Sequence, residues 1–179
     1  GDIAVTDITR CLLTTFTSTG SYKSTGVQSG TEDCKLTRPF CIAVTSDDLL
    51  LVTDRKDVKV HDRELRYIRQ FRPSQNEVEG QSQSLLRGIA VDEKDQIAVA
   101  DCKRKVISLH NIDGSIISTL YHDNISNSRS LSVSSKGRLI FTNYDKIKLV
   151  CLDFKGNEVF NISTSIDGKP VRPAGVCCD

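Results

Sequence analysis

A five-residue segment that ends in Asp or Asn occurs four times along this chain. The copies read IAVTD at 3–7, LLVTD at 50–54, IAVAD at 97–101 and LIFTN at 139–143. Their starts lie about 42 to 47 residues apart, a period that is typical of β-propellers and solenoids. This repeat constrains the fold before any catalytic motif is considered.

Each repeat carries further short apolar segments. One precedes the five-residue segment, at 38–44, 85–92 and 128–134, with a last copy at 172–179. Two more follow it, at 58–62 and 64–71, at 105–111 and 115–121, and at 147–153 and 158–163. In the third segment apolar residues alternate with Lys59 or Lys148, which is the period of a half-buried strand. Gly, Asn and Asp lie between segments, where tight hairpin turns need them. The sequence therefore predicts four antiparallel strands in each repeat.

Successive four-stranded sheets at a constant spacing predict an all-β fold, the β-propeller, whose blades pack face to face around an axis. A β-sandwich would not explain the constant period. We predict one domain over residues 1–179 with about four blades, formed by 1–27 together with 172–179, by 38–71, by 85–121 and by 128–163. Segment 172–178 either completes the first sheet and closes a four-bladed ring, or the blades belong to a larger propeller. Open sheet edges in the second case would favour a homodimer.

The start of the repeat follows a distinct pattern. Residues 86–92 read LRGIAVD and are followed by IAVAD, and RPAGV at 172–176 contains a Pro-x-Gly opening. The pattern resembles the NHL repeat, in particular the C-terminal NHL domains of tripartite-motif (TRIM) proteins. The resemblance implies a propeller, usually of six blades, that selects substrates for a RING-type ubiquitin ligase or binds RNA on one face. A fold by itself does not fix a function.

The sequence offers little for catalysis. Two of the three histidines fall at the ends of predicted third strands, so they are repeat positions rather than a metal cluster: His61 and His110, with His122 elsewhere. The carboxylates that close the second strands are interpreted as turn caps, the usual role of Asp there: Asp7, Asp54 and Asp101. No phosphate-binding loop, nucleophile elbow or HExxH motif occurs. We predict no catalytic residue, no metal and no cofactor in this chain.

The cysteines indicate a cellular compartment. There are seven, and none forms a C-x-x-C pair, which argues against zinc. Most lie in predicted strands, where a free thiol packs as a small apolar group, and this predicts a cytoplasmic protein. No apolar run approaches the roughly 18 residues that span a membrane. Asn-x-Ser sequons at Asn124 and Asn161 keep open a second alternative, an extracellular adhesion or lectin-like propeller carrying glycans.

Charge is distributed unevenly although the formal net charge is only +1. In a propeller, the loops between second and third strands and the links between blades emerge on one face, and here those segments are basic. Aligning the repeats places Phe40, Arg87, Arg129 and Ala174 at equivalent positions near the mouth of the central channel, and two of these four are arginine. We predict a binding face, called the basic face below, that is formed by Phe40, Arg55, Lys56, Arg87, Lys103, Arg104, Arg129, Tyr144 and Arg172.

Such a face suits an anionic partner, because the planar guanidinium fork fits carboxylate and phosphate. Single-stranded or hairpin RNA would also need aromatic platforms, which Tyr144 would supply. Aromatic residues are only 6% of the chain, which leaves few platforms for bases. We therefore predict an acidic protein partner or substrate, with RNA as the alternative, and no membrane partner.

Overall fold

The computed structural model describes residues 1–26, 34–73 and 84–178, which form four antiparallel sheets in chain order. The first sheet contains β1 (Ile3–Asp7), β2 (Leu12–Phe16) and β3 (Tyr22–Thr25). The second contains β4 (Pro39–Val44), β5 (Leu50–Asp54), β6 (Asp57–His61) and β7 (Tyr67–Phe71). The third contains β8 (Leu86–Val91), β9 (Ile97–Asp101), β10 (Val106–His110) and β11 (Ile116–Tyr121). The fourth contains β12 (Ser128–Ser134), β13 (Arg138–Asn143), β14 (Lys148–Asp153) and β15 (Glu158–Ser163).

The sheets pack as consecutive blades, as the repeat predicts. The innermost strands are neighbours in chain order, with β4 beside β8 and β8 beside β12, while β1 lies beside β4. A separate apolar core fills each interface. Leu13 and Val52 lie between the first two sheets, Val60 and Ile97 between the second and third. Between the third and fourth, the core includes Phe141. Both faces of the middle sheets are therefore buried, which is the packing of a β-propeller.

Turn residues explain how each sheet folds back. Between first and second strands, Asp48, Asp95 and Gly137 have positive φ, and between third and fourth strands Gly114 and Gly156 do. Asp and Gly tolerate this backbone region better than most residues. Asp carboxylates accept hydrogen bonds from backbone amides in several of these turns, including those at Asp62, Asp92 and Asp153. The hairpins therefore form where the sequence predicts them.

The C-terminal segment differs from its predicted role in the first blade. The first sheet has only the strands β1, β2 and β3, and residues 171–178 contain no strand. The segment lies along β12 instead: Ser130 Oγ contacts the carbonyl oxygen and the amide of Val176 at 3.2 and 3.1 Å, and the Cys178 amide donates to Ser132 Oγ at 3.0 Å. These anchors are side chains, and Pro173 has no amide to donate to a strand ladder.

Two small elements were not predicted. A short hairpin of β16 (Ser165–Ile166) and β17 (Lys169–Pro170) precedes the C-terminal segment, and a 3-10 helix (Asp123–Ile125) precedes β12. Within the part of the chain that the structure describes, no extensive contact joins the strands of the first sheet to those of the fourth. Those same residues include no helix with the length and apolar character needed to cross a membrane.

Candidate functional site

Strand register places the basic loops at one edge of the sheets. The first residue of each complete inner strand pairs with the last residue of the next strand: Pro39 with Asp54, Leu86 with Asp101 and Ser128 with Asn143. Each inner strand therefore starts beside the turn that joins the second and third strands. The links between blades and these turns share an edge, as the sequence predicts.

Each inner strand has a β-bulge at this edge. The register with the neighbouring strand shifts between Pro39 and Ile42 in β4, and the equivalent shift occurs early in β8 and β12. A bulge redirects a side chain and interrupts the ladder. The second residue of each strand lies inside its bulge, and these residues are Phe40, Arg87 and Arg129. The position that alignment identified is thus structurally distinct in all three blades.

Arg87 connects three blades. Its guanidinium carbon lies 5.0 Å from the centroid of the Phe40 ring, in the preceding blade. Its Nη1 donates to Oδ1 of Asn127, which enters the following blade. The Arg87 carbonyl oxygen accepts a hydrogen bond from Thr53 Oγ1 at 2.7 Å. Sequence reasoning missed Asn127; its one signal is that Asn is frequent at positive φ, which is 55° here.

Arg129, Tyr144 and Arg172 form a second aromatic contact on the same edge. The guanidinium carbon of Arg129 lies 3.6 Å from the Tyr144 ring centroid, and that of Arg172 lies 5.3 Å from it. The Nε atom of Arg129 is buried and has no hydrogen-bond partner. Neither guanidinium forms a salt bridge with any residue that the structure describes. Cation–π contact therefore holds these two charges in place without neutralising them.

The remaining basic residues lie on the turns after the second strands. Arg55 and Lys56 are exposed between β5 and β6, and Arg55 has a φ of 55°. Lys103 is exposed and Arg104 half-buried after β9. Within residues 1–26, 34–73 and 84–178, no carboxylate pairs with Arg55, Lys103 or Arg104.

Not every cation near this edge is free to bind a partner. Lys105 Nζ lies 3.1 Å from Asp123 Oδ1, and Arg72 Nε lies 2.9 Å from Asp57 Oδ1. All nine residues of the basic face are described, and the structure brings five of them into aromatic contacts: Phe40, Arg87, Arg129, Tyr144 and Arg172. These contacts, rather than the peripheral turns, define the geometry of the site.

The repeated carboxylates are structural, but only some cap their own turn. Asp7 Oδ1 accepts from the amides of Thr9 and Arg10, both at 2.9 Å. Asp101 accepts from the Lys103 and Arg104 amides in its turn and also from the amide of Leu85 in the link between blades, at 3.1 Å. Oδ1 of Asp101 therefore ties the turn to the link, whereas Oδ2 is buried without a hydrogen-bond partner among the described residues.

Asp54 departs from the turn-cap interpretation. It accepts from the amides of Thr37 and Arg38, in the link before its blade, rather than from its own turn. Its Oδ2 also lies 3.4 Å from Lys59 Nζ. The alternating pattern predicts a half-buried strand with Lys59 on its polar side, but Lys59 is only 4% exposed. Because both faces of the second sheet are covered, this lysine is buried and paired rather than solvated.

Burial shifts the pKa values of several titratable groups in the interior. Burial and the nearby Lys59 charge lower the pKa of His61 to about 4, and burial lowers that of His110. Burial raises the pKa of the Cys41 thiol to about 11 and that of Cys102 to about 12, so both thiols stay protonated and poorly nucleophilic at neutral pH. No group of three or more His, Cys, Asp or Glu side chains suited to a metal occurs among the described residues.

Both glycosylation sequons lie at constrained positions. Asn124 is 8% exposed and its Oδ1 accepts a hydrogen bond from Lys146 Nζ at 3.1 Å. Asn161 is half-buried, and its Nδ2 donates to Glu158 Oε2 at 3.1 Å. A glycan needs an exposed acceptor amide, so neither asparagine is well placed to carry one in this structure. All seven cysteines are free thiols here.

Comparison with known proteins identifies the fold and no family. No known protein-family profile and no curated protein matches this sequence. A virginiamycin B lyase from Staphylococcus aureus is similar in structure with a TM-score of 0.72 at 17% identity, over 100% of this chain and 57% of its own. A chain of a nidogen/laminin complex gives a TM-score of 0.75 at 16% identity, over 98% of this chain and 63% of its own. A streptogramin B lyase gives 0.69 at 16% identity, over 95% and 53%.

These neighbours are β-propeller proteins, and at such identities the likeness extends to the fold alone. This chain spans less than two thirds of each of them. They include lyases as well as a component of a protein complex, so the shared fold is compatible with both enzymes and binding modules.

Proposed function

We propose that this chain is a non-catalytic recognition module that binds an acidic segment of a partner protein through its basic face. The observation that carries the proposal is the pair of arginines at Tyr144, which are held by the ring and lack a carboxylate partner among the described residues. A fixed guanidinium loses little side-chain entropy when it binds an anion. Rigid blades and preorganised charges favour recognition of a partner's carboxylates or phosphates.

A protein partner is favoured over RNA because the aromatic rings of the face are already in use. Arg87 contacts Phe40, and two arginines contact Tyr144. A nucleobase that stacked on either ring would have to displace a guanidinium, and stacking supplies much of the affinity for single strands. An extended acidic peptide needs no such platform.

The repeat's resemblance to NHL domains supports a more specific proposal. In a TRIM-type protein, this propeller would select the substrate and a RING elsewhere would transfer ubiquitin. The free thiols favour a cytoplasmic setting. Ubiquitin transfer by the full-length protein to a bound partner, lost on mutation of the basic face, would test this level of the proposal.

The binding proposal is tested with fluorescence anisotropy on two labelled probes, a poly-glutamate peptide and a mixed-sequence single-stranded RNA, over a range of salt concentrations. We expect the poly-glutamate peptide to bind. We expect the double variant R87A/R129A to bind it about tenfold or more weakly, since a charged hydrogen bond contributes roughly 1.5–3 kcal/mol. The matched control is K136A/R138A, which removes two exposed cations at the turn on the opposite edge, and we expect it to bind normally.

The same titration separates the partner classes. If RNA bound more tightly than the peptide and its affinity fell steeply and log-linearly with salt, phosphate neutralisation would dominate and the RNA alternative would replace our proposal. Normal peptide binding by R87A/R129A would place the binding surface elsewhere on the molecule.

A further inference from the structure

The side chain of Arg129 has its hydrogen-bonding capacity unused. Its five N–H donors meet no acceptor in any described residue, and its Nε is buried. The guanidinium carbon lies 3.6 Å from the Tyr144 ring centroid, so cation–π contact holds the group against the ring. Leaving a buried donor without a partner costs free energy, and a bound anion would supply the missing acceptor.

Arg172 is brought to the same ring by anchors on both sides of it. The Val171 amide donates to the Thr164 carbonyl oxygen at 3.0 Å, and the Val176 amide donates to Ser130 Oγ at 3.1 Å. The segment between these anchors therefore holds the Arg172 guanidinium near Tyr144, at 5.3 Å from the ring centroid. Two full positive charges meet at one aromatic side chain.

The neighbouring charges do not cancel this pair. Asp145 follows Tyr144 in sequence, but it is exposed and forms no salt bridge with Arg129 or Arg172. Lys146 Nζ donates to the Asp123 carbonyl oxygen and to Asn124 Oδ1, and its charge is offset in part by the Asp123 carboxylate. The site therefore has an excess of about two positive charges before any ligand binds.

A carboxylate would neutralise only one of these charges. A phosphoryl group on a side chain carries roughly −1.5 to −2 at neutral pH and offers three acceptor oxygens, which suits two guanidinium forks. The Tyr144 hydroxyl makes no hydrogen bond with a described residue and is a further possible donor.

We propose that Arg129, Tyr144 and Arg172 form a binding site for a phosphorylated side chain of the partner protein. This inference rests on the proposed function, because the site is part of the basic face, and it names the chemistry that the face selects. Recognition would then depend on phosphorylation of the partner, with Arg87 and the peripheral cations contacting the flanking acidic residues.

The test uses three capped pentapeptides, Gly-Gly-X-Gly-Gly, in which X is phosphoserine, glutamate or serine. Each is titrated into nitrogen-15-labelled protein while the Arg side-chain N–H signals are followed by NMR. The buried Nε–H of Arg129 is shielded from solvent and should give a resolved signal that shifts with phosphoserine. We expect the glutamate peptide to bind about tenfold or more weakly and the serine peptide not to bind, because charge-assisted bonds to phosphate dominate.

Substitutions test whether the phosphoserine peptide binds at Arg129, Tyr144 and Arg172. We expect R129Q and R172Q each to weaken binding of the phosphoserine peptide about tenfold or more. We expect Y144F to weaken this binding less, because the ring is retained. R172Q alters an exposed residue in a segment without regular structure, so it tests the site even if R129Q folds poorly. The control R138Q, on the opposite edge, should bind the peptide like the unmodified protein.

The outcomes separate this inference from the proposed function. Equal binding of the phosphoserine and glutamate peptides would overturn phosphate selectivity while leaving acidic-partner recognition standing. Phosphoserine binding unaffected by R172Q and R129Q would place the phosphate site elsewhere. Failure of both the pentapeptides and poly-glutamate would overturn both proposals.

Discussion

At the scale of single residues, burial decides roles that the sequence pattern leaves open. Lys59 alternates with valines as a solvated lysine would, yet it lies beside Asp54 at 3.4 Å and is almost fully buried. The period of two identifies a strand, but it reports exposure only when one face of the sheet meets water. Both faces of the second sheet are covered, so Lys59 is buried and paired with Asp54 of the adjacent strand rather than solvated.

His61, two residues along the same strand, makes stability depend on pH. Its pKa is lowered from 6.5 to about 4, so the folded state holds the ring neutral while the unfolded state protonates. The stabilising contribution is therefore complete above the unfolded pKa and is lost as the pH falls toward the folded one. Between about pH 7 and pH 5 we expect a loss of about 2 kcal/mol in the free energy of unfolding. Urea denaturation at both pH values measures it.

The variant H61Q isolates this contribution, because glutamine does not titrate. We expect its stability to change less between the two pH values than that of the unmodified chain. His110, whose pKa is also lowered by burial, accounts for the remainder. The carboxylates with lowered pKa values, such as Asp62 and Asp153, titrate below this window. If H61Q lost as much stability as the parent, His61 would not be the proton acceptor.

At the scale of strands and turns, the sequence predicts that a strand is present better than it predicts where the strand begins, ends or bulges. The segment 128–134 coincides with β12, whereas 64–71 shortens to Tyr67–Phe71 because the Asp62 turn extends to Arg66. The bulges at Phe40, Arg87 and Arg129 were not predictable, although alignment had placed these residues together. A bulge depends on how two strands share their hydrogen bonds, and no single strand's sequence records that.

Gly88, inside the bulge of β8, is required by the close approach of the next blade. A Cβ atom at this position would lie 2.7 Å from Leu131 Cβ and 2.9 Å from the Leu131 amide nitrogen. Relief would require the inner strands of two blades to separate. We expect G88A to lower the free energy of unfolding by roughly 1–3 kcal/mol, the usual cost of overpacking, as measured by urea denaturation.

Gly175 provides the matched control, because it occupies the same place in the last copy of the repeat. No heavy atom lies within 4 Å of a Cβ built at Gly175, and its φ is not in the left-handed region. We expect G175A to leave the free energy of unfolding nearly unchanged. Similar losses in G88A and G175A would mean that the close approach of the next blade does not cause the loss in G88A.

At the scale of the whole molecule, the repeat period predicts blades but does not determine how they close. Segment 172–178 satisfies the sequence pattern of an inner strand, yet it lies along β12 and pairs with no sheet. A strand forms only where its backbone can pair with the edge of a sheet. The edge of the first sheet that an inner strand would join is β1, which lies at the N-terminal end of the chain, and the segment does not pair with it. The repeat predicts which edge the nine residues of the basic face share, whereas the aromatic contacts among five of them depend on side-chain packing between blades.

The terminal sheets expose the surfaces that the inner sheets bury. Ile3 and Val5 of β1 occupy the repeat positions of Leu50 and Val52, which pack in the core between the first two sheets, but they are 47% and 44% exposed. Ile162 of β15 has the register position of the buried Leu120 and is 50% exposed.

The side-chain hydroxyl of Thr142 also lacks a contact that the equivalent residues of other sheets make. The equivalent hydroxyls of Thr6 and Thr53 donate to a carbonyl oxygen of the following inner strand, at 3.1 and 2.7 Å. The hydroxyl of Thr142 is buried without a partner. The fourth sheet therefore lacks the carbonyl acceptor that a following inner strand supplies to Thr6 and Thr53.

We expect two copies of this 179-residue chain to associate through these faces, the first sheet of one against the fourth sheet of the other. The driving force is burial of exposed apolar surface that is shaped for blade packing. Light scattering across a concentration series should give a mass that rises from one chain toward two. Val5→Lys and Ile162→Lys should each hold the chain as a monomer. The control is Ile116→Lys, which replaces an equally exposed residue (48%) of β11 in an interior blade, and this variant should associate like the parent. If it also abolished association, general surface hydrophobicity would explain the dimer better than blade packing.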